Sequence, residues 1–153
     1  MRRGALALSS LARFSRSDPA PGQLVVADGK TKLMWQGCAA GQSGTLVACT
    51  GGATPYTWQA AMTYCEGLTW GGFSDWRLPD FHELQSIIDW GRYNPAIDGT
   101  AFPGTPADYF WSSSPSTYVG NASYAWAASF GSGYVDWQGK YSTFPARCVR
   151  PGP

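Results

Sequence analysis

The chain has 153 residues, enough for one domain with its own core, and carries 14% charged and 15% aromatic residues with a net charge of +1. So little charge, with no run of Lys and Arg, excludes the basic stripe of a nucleic-acid binder and any field that would draw it to an anionic membrane. The aromatic content excludes disorder, no stretch reaches the ~18 apolar residues of a membrane span, and 19 Gly with 11 Pro point to many short elements joined by ordered loops.

Residues 1–21 read as a tail or leader and residues 22–153 as the domain. The start, MRRGALALSSLARFSRS, resembles a degenerate signal peptide, with an Arg pair, a short apolar stretch and a small-residue cleavage site at Ser10, Leu11 and Ala12. Its apolar core from Gly4 to Leu8 is shorter than the ~7 to 15 residues such segments need, so a disordered leader or a mis-assigned start are the alternatives. Were the tail ordered, Leu6, Leu8, Leu11 and Phe14 would form an apolar helical face for a partner. Residues 24–27 and 30–35 are β-prone runs about Asp28 and Gly29, a tight-hairpin signal. Residues 36–55 are small and polar, as in a surface loop. Thr57 then caps a helix whose Trp58, Ala61, Met62 and Cys65 share one face, ending at Gly67 or Gly71. A second helix opens on a capping box of Asp80 and Glu83, carries Phe81, Leu84, Ile87 and Ile88 on one face and stops at Gly91. Residues 92–106 read as an organised loop. Four aromatic-rich segments, 109–113, 124–130, 134–137 and 144–150, read as strands of one antiparallel sheet. Tyr124, Trp126, Ala128 and Phe130 alternate with smaller residues, and Gly131 to Gly133 supply a turn.

Four cysteines allow three pairings, and no CxxC spacing suggests zinc or redox chemistry. Cys38 and Cys49 bracket a Gly, Ser and Thr loop as a local staple would, leaving Cys65 and Cys148 to join the first helix to the last strand. By loop entropy the short bridge contributes about 3 kcal/mol and the long one about 4.5. Two disulfides imply an oxidising compartment, whether secreted, periplasmic or cell-surface. Four free buried thiols in the cytosol is the alternative.

The segments LMWQ (33–36), WQAAMTYC (58–65), WRLPDFHEL (76–84), FWSS (110–113), YAWAASF (124–130) and RCVR (147–150) together resemble one family. It is the C-terminal domain of the collagen-like adhesins of Legionella, and the likeness covers about residues 22–151. The resemblance implies an α+β fold similar to C-type lectins: two helices, a twisted antiparallel sheet and a long loop region. It implies an extracellular binding module for a glycan or host surface, associated in the adhesins with trimers and sulfated polysaccharides; a homo-oligomer is therefore compatible with it. A helix-to-last-strand disulfide is usual in C-type lectins, in agreement with pairing Cys65 to Cys148. The chain departs from the adhesin plan in carrying no collagen repeat. A protein-binding or structural subunit of a bacterial surface assembly is the alternative function.

Trp76, Arg77 and Pro79 of the WRLP element are expected to be structural, with a buried Arg77 forking to backbone carbonyls or to Asp75 or Glu83 above a packed Trp76. Trp111 and Trp126 are expected to be structural too. His82 is the only histidine, so neither a transition-metal site nor a serine nucleophile among Ser112, Ser113 and Ser114 has the partners it needs. Formylglycine-generating enzymes share the fold but act through final-segment cysteines, where this chain has only Cys148. Catalysis is not expected. Calcium would need Asn94, Asp98, Asp108 and loop carbonyls, without EF-hand spacing or the EPN and QPD triplets of many lectins; no cofactor is expected. A glycan needs exposed aromatics for stacking and nearby polar groups. Tyr93, Tyr118, Tyr134, Trp137 and Tyr141 are the candidates, with Arg92 and Lys140 to meet sulfate or carboxylate; core packing is the competing role for each aromatic. The sequon at Asn121 marks an exposed loop.

Overall fold

The hairpin forms where the β-prone runs place it, but with a wider turn. The computed structural model describes residues 13–116 and 122–153. Strands β2 (Val25–Asp28) and β3 (Leu33–Gln36) pair antiparallel with Asp28 opposite Leu33. Asp28 therefore stays in the ladder rather than in the turn. Its carboxylate accepts from Lys30 N at 2.9 Å and Thr31 Oγ1 at 3.0 Å, organising the turn around itself, while Lys32 takes a left-handed φ of 64°.

The boundary of the tail at residue 21 needs correction, because β1 (Phe14–Ser17) pairs with β2 as an edge strand. Arg13 donates through Nε and Nη2 to both Asp28 oxygens, and the Phe14 ring meets Phe102 edge-on at 5.3 Å. Phe14 thus lies in a strand and not on a helical face. Both anchoring partners are remote in sequence, so no local pattern marks the strand. The leader residues Leu6, Leu8 and Leu11 lie outside the described residues.

Across β3 the sheet continues with β9 (Val149–Pro151), giving the order β1-β2-β3-β9. The last aromatic segment accordingly belongs to this sheet rather than to that of its three predecessors. Those are β6 (Tyr109–Pro115), β7 (Tyr124–Ser129) and β8 (Val135–Gly139), an antiparallel sheet of order β6-β7-β8. A short ribbon of β4 (Ser43–Gly44) and β5 (Cys49–Thr50) sits in the polar loop, stapled by Cys38–Cys49.

Helix α1 (Trp58–Glu66) begins at Thr57, whose side chain accepts from Ala60 N, and ends at Gly67. Ala61 and Cys65 are its buried positions, and Cys65 is bonded to Cys148. Helix α2 (Phe81–Gln85) shows the full capping box of Asp80 and Glu83. It ends at Ser86, well before Gly91: the Ser86 hydroxyl donates to Glu83 O, and Ile87 and Ile88 enter the core from turns instead of from a helical face. The following loop is organised as expected, with a cis Asn94–Pro95 bond and Ile97 and Phe102 buried.

Strand β7 is central in its sheet and covered on both faces. Ala125 and Ala127 are fully buried on one side, while Trp126 on the other stacks on Phe81 at 5.2 Å and meets Trp137 edge-on at 5.6 Å. The core between the sheets holds Trp35, Trp111, Phe102, Phe110 and Phe130.

Candidate functional site

The strand β8 carries candidate ligand residues at both of its ends, and so separates them into two groups. Lys140 follows β8. Its backbone N donates to Ser123 O at 2.8 Å and its carbonyl accepts from Trp58 N at 3.1 Å, which ties together the start of α1, the entry to β7 and the exit of β8. Trp58 is held from beneath by Nε1 donating to Ser112 O at 2.8 Å, and the Lys140 ammonium lies 4.2 Å from the centre of its ring. Thr57, Trp58, Gln59, Ala122, Ser123, Lys140 and Tyr141 line an open cleft of about 410 Å³. Tyr141 is 89% exposed. Among the described residues no carboxylate pairs with Lys140. A cation fixed over an indole, with a free phenol and amide beside it, is suited to an anionic group on a flat, hydroxyl-bearing ligand.

The other group lies at the β7–β8 turn, about 20 Å away along the strand. Tyr134 and Tyr93 are 72% and 79% exposed, and Asn94 N donates to Gly131 O, which fixes their loop on the turn. Arg92 pairs with Asp89 at 2.8 Å rather than standing free for a sulfate. Trp137 is half-buried against Trp126 and belongs with the packing of β7. Tyr118 and the sequon at Asn121 lie outside the described residues.

Sequence reasoning missed two residues at these places. Trp58 was read only as part of a core face, yet it floors the first cleft. Trp90, 65% exposed, falls off the 81, 84, 87, 88 face of the second helix, and that mismatch was the available signal.

The WRLP element carries the expected fork of Arg77 onto Glu83, but at the surface rather than buried. Trp76 and Pro79 are buried, but Arg77 is exposed, with 45% of its side chain open; it forks onto Glu83 through Nη1 at 2.7 Å and Nη2 at 2.8 Å. Burial would raise the Glu83 carboxyl, but the Arg77 fork and the Asp80 N–H outweigh it and hold that group below its ordinary value. Asp75 pairs instead with Arg150, whose guanidinium lies 3.9 Å from the Phe73 ring centre. The buried arginine tying loops together is Arg147, fully enclosed. It donates through Nη1 to Gln36 O at 2.8 Å and Gly37 O at 2.7 Å, and through Nη2 to Thr105 Oγ1 at 2.9 Å. Burial pushes Arg147 down to about 9. A charged side chain enclosed just before β9 has no hydrophobic-pattern signature.

Ser112 is buried and its hydroxyl donates to Trp126 O, while the Ser114 hydroxyl accepts from Phe81 N; His82 is exposed beside Phe81. The carboxylates of Asp98 and Asp108 accept from backbone N–H groups of their own turns, and among the described residues no three His, Cys, Asp or Glu side chains gather as metal ligands.

These features define a small α+β domain, stapled by two disulfides, whose open clefts carry aromatic and polar side chains. The chain belongs to the Lcl C-terminal domain family, whose model matches residues 24–150. Lcl is a collagen-like adhesin, so membership of this family suggests a surface-binding module, and the two disulfides fit an extracellular or cell-surface setting. No helix among the described residues is long and apolar enough to cross a membrane. No curated protein matches the chain.

Proposed function

We propose that the domain is a non-catalytic, C-type-lectin-like module that binds a glycan on a host or neighbouring cell surface, through the cleft of Trp58, Lys140 and Tyr141. The observation that carries this is the Lys140 ammonium, unpaired among the described residues and positioned over Trp58 beside the exposed Tyr141. A sulfate or carboxylate on a saccharide would complete that charge, and Tyr141 would lie against a sugar face. The lectin-like reading of the fold rests on two helices, the long loop region and the Cys65–Cys148 bridge from helix to last strand. No metal is required, because the polar groups of the cleft are side chains able to meet the ligand directly.

A glycan array including dextran and dextran sulfate tests this. Selective retention of dextran sulfate, lost in Lys140→Ala and weakened in Tyr141→Ala, supports the reading; a blank array from folded protein refutes it. The alternative, a protein-binding subunit of a surface assembly, draws on Leu46 and Val47, which are 43% and 78% exposed between the strands of the β4–β5 ribbon. Self-association abolished by Val47→Ser, together with a blank array, would favour it.

A further inference from the structure

The end of the domain at the β7–β8 turn has an aromatic platform that the anionic-glycan cleft does not use. Trp90 keeps 65% of its surface open, yet its position is defined. A Cβ on Gly133 would lie 3.0 Å from the six-membered ring of Trp90 and 3.4 Å from Ile88, so the ring is seated directly on the glycine backbone. Gly133 also takes a φ of 88°, which favours glycine by itself. The platform therefore depends on a residue chosen both for its conformation and for the space it leaves.

Beside Trp90 is an open cleft of about 440 Å³ whose polar lining is Arg13, Asp89 and Asp98. Arg13 is already engaged by both oxygens of Asp28 and by Ser86 O. Asp89 accepts from Gly91 N and Arg92 Nε, and Asp98 Oδ1 accepts from Thr100 N and Ala101 N. The lining thus contains two carboxylates with further acceptor capacity and no cation free of a carboxylate partner. An anionic sugar would meet repulsion here. Sugar hydroxyls would find acceptors, and the open indole would find an uncharged ring face.

We propose that this cleft is a second saccharide site, specific for uncharged sugar rings, with Trp90 as its stacking platform and Asp98 as a hydroxyl acceptor. It rests on the glycan-binding reading but differs from the Lys140 cleft in the charge of its ligand. With the two sites at opposite ends of β8, about 20 Å apart, the domain would hold a neutral and an anionic stretch of saccharide at once, and two weak contacts would act together.

Calorimetric titration of the whole chain with neutral hexasaccharides (α- and β-1,4-glucose, β-1,4-N-acetylglucosamine, β-1,4-mannose) tests the proposal, with dextran sulfate titrated in parallel. At least one neutral hexasaccharide should bind. Trp90→Ala should weaken that binding about tenfold, the loss typical of truncating an aromatic anchor, and Trp90→Phe should restore most of it. Lys140→Ala should leave it unchanged while abolishing dextran sulfate binding. The proposal is overturned if no neutral hexasaccharide binds or if Trp90→Ala has no effect on one that does. It is equally overturned if Trp90→Ala changes only the mass of the protein in solution, which would make Trp90 a contact between copies. Failure of the parent chain to bind dextran sulfate, with a neutral hexasaccharide still bound through Trp90, would count against the Lys140 cleft and not against this one.

Discussion

Arg147→Met should be among the most destabilising single changes in this domain. Methionine retains much of the apolar stem but none of the donors. Gln36 O and Gly37 O, at 2.8 and 2.7 Å from Nη1, would lose that donor inside the core, and a buried polar group left unsatisfied costs about 1–3 kcal/mol. Thr105 loses least, because its hydroxyl already donates to Phe102 O. Against this stands a relief: no carboxylate accompanies the buried guanidinium, which has the Phe102 and Phe110 rings at 4.9 and 5.7 Å and an Nε that donates to nothing, and removing such a charge recovers part of its desolvation cost. The net expectation is a loss of about 2–4 kcal/mol, or a fall in Tm of roughly 10 °C for a domain of this size. Arg147→Lys should also be destabilised, since one ammonium cannot reproduce the planar fork that spans Gln36, Gly37 and Thr105. Thermal unfolding by circular dichroism, with the disulfides intact, measures both. A Tm for Arg147→Met within about 2 °C of the parent would refute the claim that this side chain ties β3 to the 102–105 loop.

Alkylation without reduction should label none of the four cysteines, and any adduct in the mass spectrum would contradict the bridges. Removing the pair Cys65 and Cys148 should cost more than removing Cys38 and Cys49, because the separations are 83 and 11 residues and the loop-entropy values are about 4.5 and 3 kcal/mol; the opposite order of Tm values would be incompatible with that account. At Asp28 burial acts to raise the carboxyl, but hydrogen bonds from Arg13, Lys30 N and Thr31 outweigh it and leave the group below its ordinary value, as at Glu83. With the folded value depressed, the stabilisation is present above about pH 4 and is lost as pH falls through the folded value. A Tm profile from pH 6 to 2 should decline below pH 4, and Asp28→Asn should decline less; an unchanged acid slope in that variant would remove Asp28 from the explanation. EDTA should leave saccharide binding unaltered, and a loss that calcium restores would show that a metal participates.

Local elements were legible because their causes are local. Thr57 and the Asp80–Glu83 box mark helix starts through bonds to N–H groups three residues away, and the Cys38–Cys49 staple spans its own loop. Where the cause was remote, the reading failed in specific ways. The strand at Phe14–Ser17 depends on Asp28 and Phe102, and the early stop at Ser86 reflects where Ile87 and Ile88 find the core. Arg77 lies exposed and Arg147 enclosed although both sit among apolar neighbours in sequence, because only the packing decides which is enclosed.

The candidate residues divide in the same way. Composition and aromatic placement were enough to nominate Tyr93, Tyr134, Lys140 and Tyr141, since turn-forming neighbours mark loops and strand ends in a sequence. That Lys140 lies over Trp58, that Arg92 is spent on Asp89, and that Trp90 rests on Gly133 required the third dimension. By itself the sequence carried the helix caps, the hairpin and the local Cys38–Cys49 staple, because short-range hydrogen bonding and side-chain periodicity act over a few residues, while the α+β class and the helix-to-last-strand bridge are also what the family resemblance implies. Only the tertiary structure decided which strands share a sheet, which arginine is buried and which aromatics stay open, because each depends on surfaces contributed by segments tens of residues apart.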